Sequence, residues 1–286
     1  MRPPLAIPSC RIGSATAQIA TDRPPARKTD ARKRAGLTLL ELVLAVAILT
    51  MSVVALGAMA RAVQISNEYG EGYGTATQVA RVALSRITQA VNDAYGVDSL
   101  PGAWALETTG TTGAYPDTLV IWRPDGAPVN PAGPPLAREL VIFCPDPNDP
   151  NEFLEIKVPS DNTPVPSPTS IPAFQAFVNG LKASGSAQKV VLTDLLRTAN
   201  GRGAVRFVVT LNPSAAQWTS FRNATASFSS LPWPQSILGP NAGLRQVWVR
   251  TELQMVPFGQ WLVTNPSAQE VVPYFGSATF SYVLKP

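Results

Sequence analysis

Hydrophobic and polar positions follow three distinct patterns along this chain. Residues 42–60 are apolar almost without interruption: they carry no charge, and Thr50 and Ser52 are their only polar side chains. At about 1.5 Å of rise per residue, a helix of that length comes close to the roughly 30 Å hydrocarbon thickness of a bilayer. From residue 79 the pattern becomes one apolar face at helical spacing: Val79, Ala80, Ala83, Leu84, Ile87, Ala90, Val91 and Ala94. Arg81, Ser85, Arg86, Gln89 and Asp93 lie away from its centre. No proline falls between Ala26 and Leu100, so both segments read as one long helical arm. Gly70-Glu-Gly72-Tyr-Gly74 interrupts it. Each glycine weakens a helix by about 1 kcal/mol relative to Ala, which predicts a bend or local melting there. Thr75-x-x-Gln78 then reads as a capping box that restarts the helix, and Gly96 as its stop.

Beyond Gly96 the third pattern is short strands separated by prolines. Candidate strands are residues 103–107, 118–122, 139–144, 153–158, 204–211, 225–229, 244–255 and 278–284. The longest sets Val247, Val249, Thr251, Leu253 and Met255 against Trp248, Arg250, Glu252 and Gln254. That period of two marks an antiparallel strand with one face covered. A short helix is expected over residues 187–198, with Val190, Val191, Leu195 and Leu196 as its apolar face. The proline runs 124–135 and 159–172 read as surface loops. The fold class is therefore α+β: a long N-terminal apolar helix continues into an amphipathic helix packed on an antiparallel sheet.

Charge changes the picture only at the N-terminus. Eight of the 23 basic residues and two of the 19 acidic ones precede Leu37, so the remainder is close to neutral despite the formal +4. No nucleic-acid footprint remains outside that segment. Residues 1–26, rich in Pro, Ala and Arg without periodicity, read as disordered. Arg27, Lys28, Arg32, Lys33 and Arg34, partly offset by Asp30, flank the apolar run and by the positive-inside rule stay cytoplasmic.

At the mouth of the run stands Gly36-Leu37-Thr38-Leu39-Leu40-Glu41. A carboxylate well inside a membrane costs at least about 2.5–3.5 kcal/mol, so Glu41 needs a partner. Thr38-x-x-Glu41 supplies one locally, as a capping box. Basic leader, Gly, apolar residue, Thr-Leu-Leu-Glu and an apolar run together resemble the type IV prepilin signature shared by pilins and pseudopilins. The pattern Arg81-Val-Ala-Leu84-Ser-Arg86-Ile87-Thr-Gln-Ala90-Val91 is similar to the end of the helix in J-type minor pseudopilins of type II secretion. The resemblance implies a pilin-like fold and four regions: a cleaved leader over 1–36, a transmembrane helix over 37–60, a helical arm over 61–95 and a head over 96–286. It implies cleavage by prepilin peptidase between Gly36 and Leu37, and N-methylation of Leu37. Glu41 would pair with the N-terminal amine of a neighbouring subunit, Thr38 sharing the assembly site. The implied partners are prepilin peptidase, other pseudopilin subunits and the inner membrane, with the head periplasmic and no nucleic acid or small-molecule substrate.

Little else points to chemistry. The chain has no histidine, which removes His-based triads and the commonest metal ligand, so no enzyme is expected. Cys10 lies in the leader segment. Cys144 is then alone and reads as a buried small hydrophobe in a strand, whereas many pilins close a C-terminal loop with a disulfide. Asp146, Asn148, Asp149 and Glu152, with Glu155 just after, gather oxygen ligands that calcium could use. The Asp-Pro and Asn-Asp-Pro sequences form turns by themselves, and the glycine and spacing of a calcium loop are missing, so turns are the favoured reading and no cofactor is required. Trp218, Trp233 and Trp261 fall in loop-like sequence, as interface anchors or as core. Three rival readings stay open: a minor pilin of a type IV pilus or DNA-uptake machine, an exported binding protein released after Ala60, and an anchored hydrolase.

Overall fold

A computed structural model describes residues 38–107, 115–199, 201–236, 239–240, 243–257 and 271–285. The chain divides into two units, Met1–Gly57 and Ala58–Pro286. In the first, the described residues form the start of helix α1 (Leu39–Asn92), with nearly every side chain exposed. Thr50 and Ser52 turn their hydroxyls back onto the helix, to the carbonyls of Ala47 (2.8 Å) and Ile48 (2.9 Å). The run thereby presents no unsatisfied polar side chain, as a lipid-facing helix requires.

The second unit holds the rest of α1 and all of the sheet structure. The expected melting at the glycines does not occur: α1 is unbroken through them, and Thr75 is a mid-helix residue rather than a cap. Tyr69 and Tyr73, one turn apart, bring their rings to 4.5 Å at a 40° tilt and join hydroxyls at 2.9 Å, bridging the glycine-rich turn. Gly72 is buried, as are Ala76, Ala80, Ala83, Ile87, Ala90 and Val91, so tertiary packing offsets the poor propensity. The helix ends at Asn92, four residues before Gly96, whose missing side chain leaves room for the Tyr282 ring.

Strands β1 (Ala103–Glu107), β2 (Pro116–Trp122), β3 (Leu140–Pro145), β4 (Phe153–Lys157) and β5 (Gln188–Thr193) form an antiparallel sheet in that order. Helix α2 (Ile171–Ala183) is inserted between the last two strands. The ribbon β6 (Thr198–Ala199) and β7 (Arg202–Gly203) precedes β8 (Val205–Asn212). Helix α3 (Ala215–Arg222) follows, then a small pair, β9 (Gln235–Ser236) and β10 (Gly239–Pro240). Strand β11 (Leu244–Met255) is the centre of a second antiparallel sheet, flanked by β8 and β12 (Val272–Val283).

Two apolar cores explain why strands β2 to β4 read as continuous hydrophobic runs. Leu119, Ile121, Val141, Phe143 and Phe153 join the α1 face and the inner face of β8, β11 and β12 in one core. Val120, Trp122, Ile142, Cys144, Leu154 and Ile156 point the other way and are covered by Phe174, Val178 and Leu181 of α2. Strands β2 to β4 are thus buried on both faces, where sequence reasoning expected one covered face, while edge strand β5 is largely exposed.

Several expected elements differ. Residues 188–193 form edge strand β5 rather than a helix; Val190 pairs with Glu155 and Val191 with Leu154, and paired β-branched residues override a chance helical spacing. The helix lies earlier, opening with Ile171-Pro172 inside the expected loop, where proline in the first turn is harmless. Residues 225–229 carry no strand; they lead into a single 3₁₀ turn, Phe228–Ser230. Strand β12 starts six residues earlier than expected, because an edge strand tolerates Pro273 and Gly276 lets Leu84 of α1 sit directly on it.

Candidate functional site

Gly36 and Leu37 lie outside the described residues, and the site they flank begins with Thr38. The Thr38 backbone N–H (2.9 Å) and hydroxyl (3.0 Å) both donate to Oε2 of Glu41. The Glu41 N–H donates in return to the Thr38 hydroxyl at 3.3 Å. This is the reciprocal capping box expected from the residues, and it holds an exposed carboxylate at the N-terminal end of α1, where the helix dipole favours negative charge. Immediately behind it, α1 is the one helix among the described residues long and apolar enough to cross a membrane.

The oxygen-rich loop resolves into turns. It joins β3 to β4, with Asp146 Oδ1 accepting from the Asn148 N–H at 2.8 Å and Asp149 Oδ1 from that of Asn151 at 3.3 Å. The Glu152 N–H closes onto the Asp149 carbonyl, and the Asp146 N–H onto that of Glu152, each at 2.9 Å. Glu155 departs altogether: it is buried and pairs with Arg86 of α1 (3.5 Å) and Lys157 (3.0 Å). No group of three or more His, Cys, Asp or Glu side chains suited to a metal occurs among the described residues. Of the calcium candidates, Asp146 and Asp149 use their side chains, and Asn148 and Glu152 their backbone N–H groups, to shape the hairpin turn.

Cys144 is a free, fully buried thiol, as its strand context suggested. Burial pushes it up to about 11, against a smaller opposing effect of Lys182. Trp218 and Trp233 prove to be core rather than exposed anchors, packed with Phe221 and Phe228 in edge and tilted contacts. Their indole N–H groups are satisfied, Trp218 by Asp98 and Trp233 by the Phe228 carbonyl at 2.8 Å. Trp261 lies outside the described residues.

Sequence reasoning missed three features. Arg245 is buried on the apolar side of β11, giving its Nε–H to the Pro213 carbonyl (2.9 Å) and its Nη1 to the Tyr282 hydroxyl (3.3 Å). Trp248, 47% exposed on the outer face of β11, lies 5.9 Å from the Arg250 guanidinium. A cleft in the head is lined by Lys182, Lys189, Arg202, Asp117 and Asp146, among others. Only one signal could have pointed to it: Lys182 follows the helical series Phe174, Val178, Leu181 and so falls on a buried face.

No family model, curated protein or solved structure matches this chain.

Proposed function

We propose that the chain is a membrane-anchored minor pseudopilin, a non-enzymatic structural subunit of a type II secretion pseudopilus, most like the J type. The reading is carried by one observation. A single unbroken helix opens on a Thr38–Glu41 capping box, continues through an apolar run with no buried partner, and ends as the cover of an antiparallel sheet. In this reading prepilin peptidase cuts between Gly36 and Leu37 on the cytoplasmic face and methylates Leu37. The helix stays in the inner membrane, with the head in the periplasm. Helices in lipid associate through close packing and satisfied polar groups, so small residues and one acid–amine pair suffice to set register. Ala45, Ala47, Ala55, Gly57 and Ala58 are the small residues of the run. Glu41, its Oε2 already bonded to Thr38, accepts the neighbouring amine, two charges that are each costly in lipid when unpaired.

Mass spectrometry of the N-terminal peptide from membranes tests this reading. N-methyl-leucine at position 37 is the expected result; a mature chain starting at Arg61 would refute it in favour of an ordinary exported protein. In a strain carrying the sibling subunits, Glu41→Ala is expected to abolish cross-linking between their helices while leaving processing intact.

A further inference from the structure

The cleft in the head is not used by that reading. It has a volume of about 560 Å³ and lies between the β3–β4 turn, the last turn of α2 and the β6–β7 ribbon. Lys182, in that last turn, is only 7% exposed, and among the described residues its Nζ has one hydrogen-bond partner, the Thr118 hydroxyl at 2.7 Å. A buried ammonium carries three donors and is costly without an opposing charge. Among the described residues no carboxylate bonds it directly. The Thr118 hydroxyl donates a hydrogen bond to Asp117 Oδ1 at 3.2 Å, and Asp117 is ion-paired through Oδ2 to Arg202 at 2.7 Å. Asp146 shapes the turn through Oδ1. Among the described residues three cations and two carboxylates line the cleft, an excess of one positive charge once Lys189, exposed on its rim, is included.

From this geometry we infer that the cleft binds a carboxylate group. Its oxygens take the unused donors of Lys182, with Lys189 and the Asn179 amide at the edge. A carboxylate matches the single excess charge, whereas a phosphate dianion exceeds it and is repelled about twice as strongly by Asp117 and Asp146. The group belongs either to a free organic acid or to an acidic side chain of a protein partner.

Calorimetric titration of the full chain in nonionic detergent at low chloride tests this, with acetate, an end-blocked Gly-Glu-Gly peptide and inorganic phosphate as probes. Acetate and the peptide are expected to bind one site, more tightly than phosphate does. Lys182→Met is expected to weaken them at least about tenfold, the loss of a charge-assisted contact, and Lys189→Gln by a smaller factor. A peptide that outcompetes acetate identifies a protein side chain as the source; acetate binding equally or better identifies a free acid. No carboxylate binding, phosphate binding more tightly, or undiminished affinity in Lys182→Met overturns the inference. Should Lys182→Met not fold by circular dichroism, undiminished affinity in Lys189→Gln overturns it instead.

Discussion

At the residue scale, burial separates groups that shape the molecule from those free to act on a partner. Cys144 is the clearest case, since its thiol is held up to about 11 by desolvation. Iodoacetamide at pH 8 is expected to leave the native protein unlabelled and to modify the denatured chain fully. The protonated thiol is favoured by the fold, so its contribution to stability is intact below the unfolded value of 9.0 and is lost as pH rises through about 11. Burial likewise raises Tyr115 and Tyr282, in the same direction, so chemical unfolding followed upward from pH 9.0 should show stability falling steadily. Among the site residues, the Thr38–Glu41 box was legible because both partners sit within one helical turn, where spacing alone brings them together. Lys182, Asp117 and Arg202 were not legible: 85 residues separate the last two, and only the folded sheet joins them.

At the scale of elements, propensity and packing disagree most openly in α1. Gly70 and Gly74 face open space, whereas Gly72 is buried. Alanine at positions 70 and 74 is therefore expected to stabilise the arm by about 1 kcal/mol each, read as slower amide exchange over residues 66–78. Just beyond the glycines the helix is held on β12, where the Thr77 and Tyr274 hydroxyls meet at 2.9 Å and Leu84 sits against Gly276, a gain invisible to a local count of glycines. The error over residues 187–198 has the same origin in reverse. Val190, Val191, Leu195 and Leu196 satisfy a helical spacing, yet the backbone of 188–193 is claimed by β4, and Leu195 and Leu196 fall beyond the strand. By contrast, β11 was legible to the residue, because a solvent-exposed outer face makes the alternation strict. Helix α2 left a readable trace in Phe174, Val178 and Leu181, masked by the prolines that precede it.

At the scale of the whole molecule, residues 39–60 present a large exposed apolar surface. In cloud-point separation with a nonionic detergent, the full chain is expected in the detergent-rich phase. Leu44→Lys with Ile48→Lys, each costing about 2.5–3.5 kcal/mol near a helix centre in lipid, should move it to the aqueous phase. By itself the sequence determined the apolar helix, its capped start, the α+β class and most strands, because each depends on periodicity within one element. Only the tertiary structure decided that strands β2 to β4 are covered on both faces, that the glycine-rich turn stays helical and that residues 188–193 extend. It alone also decided that Asp146, Asn148, Asp149 and Glu152 turn a hairpin and that Lys182 is buried beside a cleft. Those outcomes depend on what each segment meets across space, and a linear pattern carries no record of that meeting.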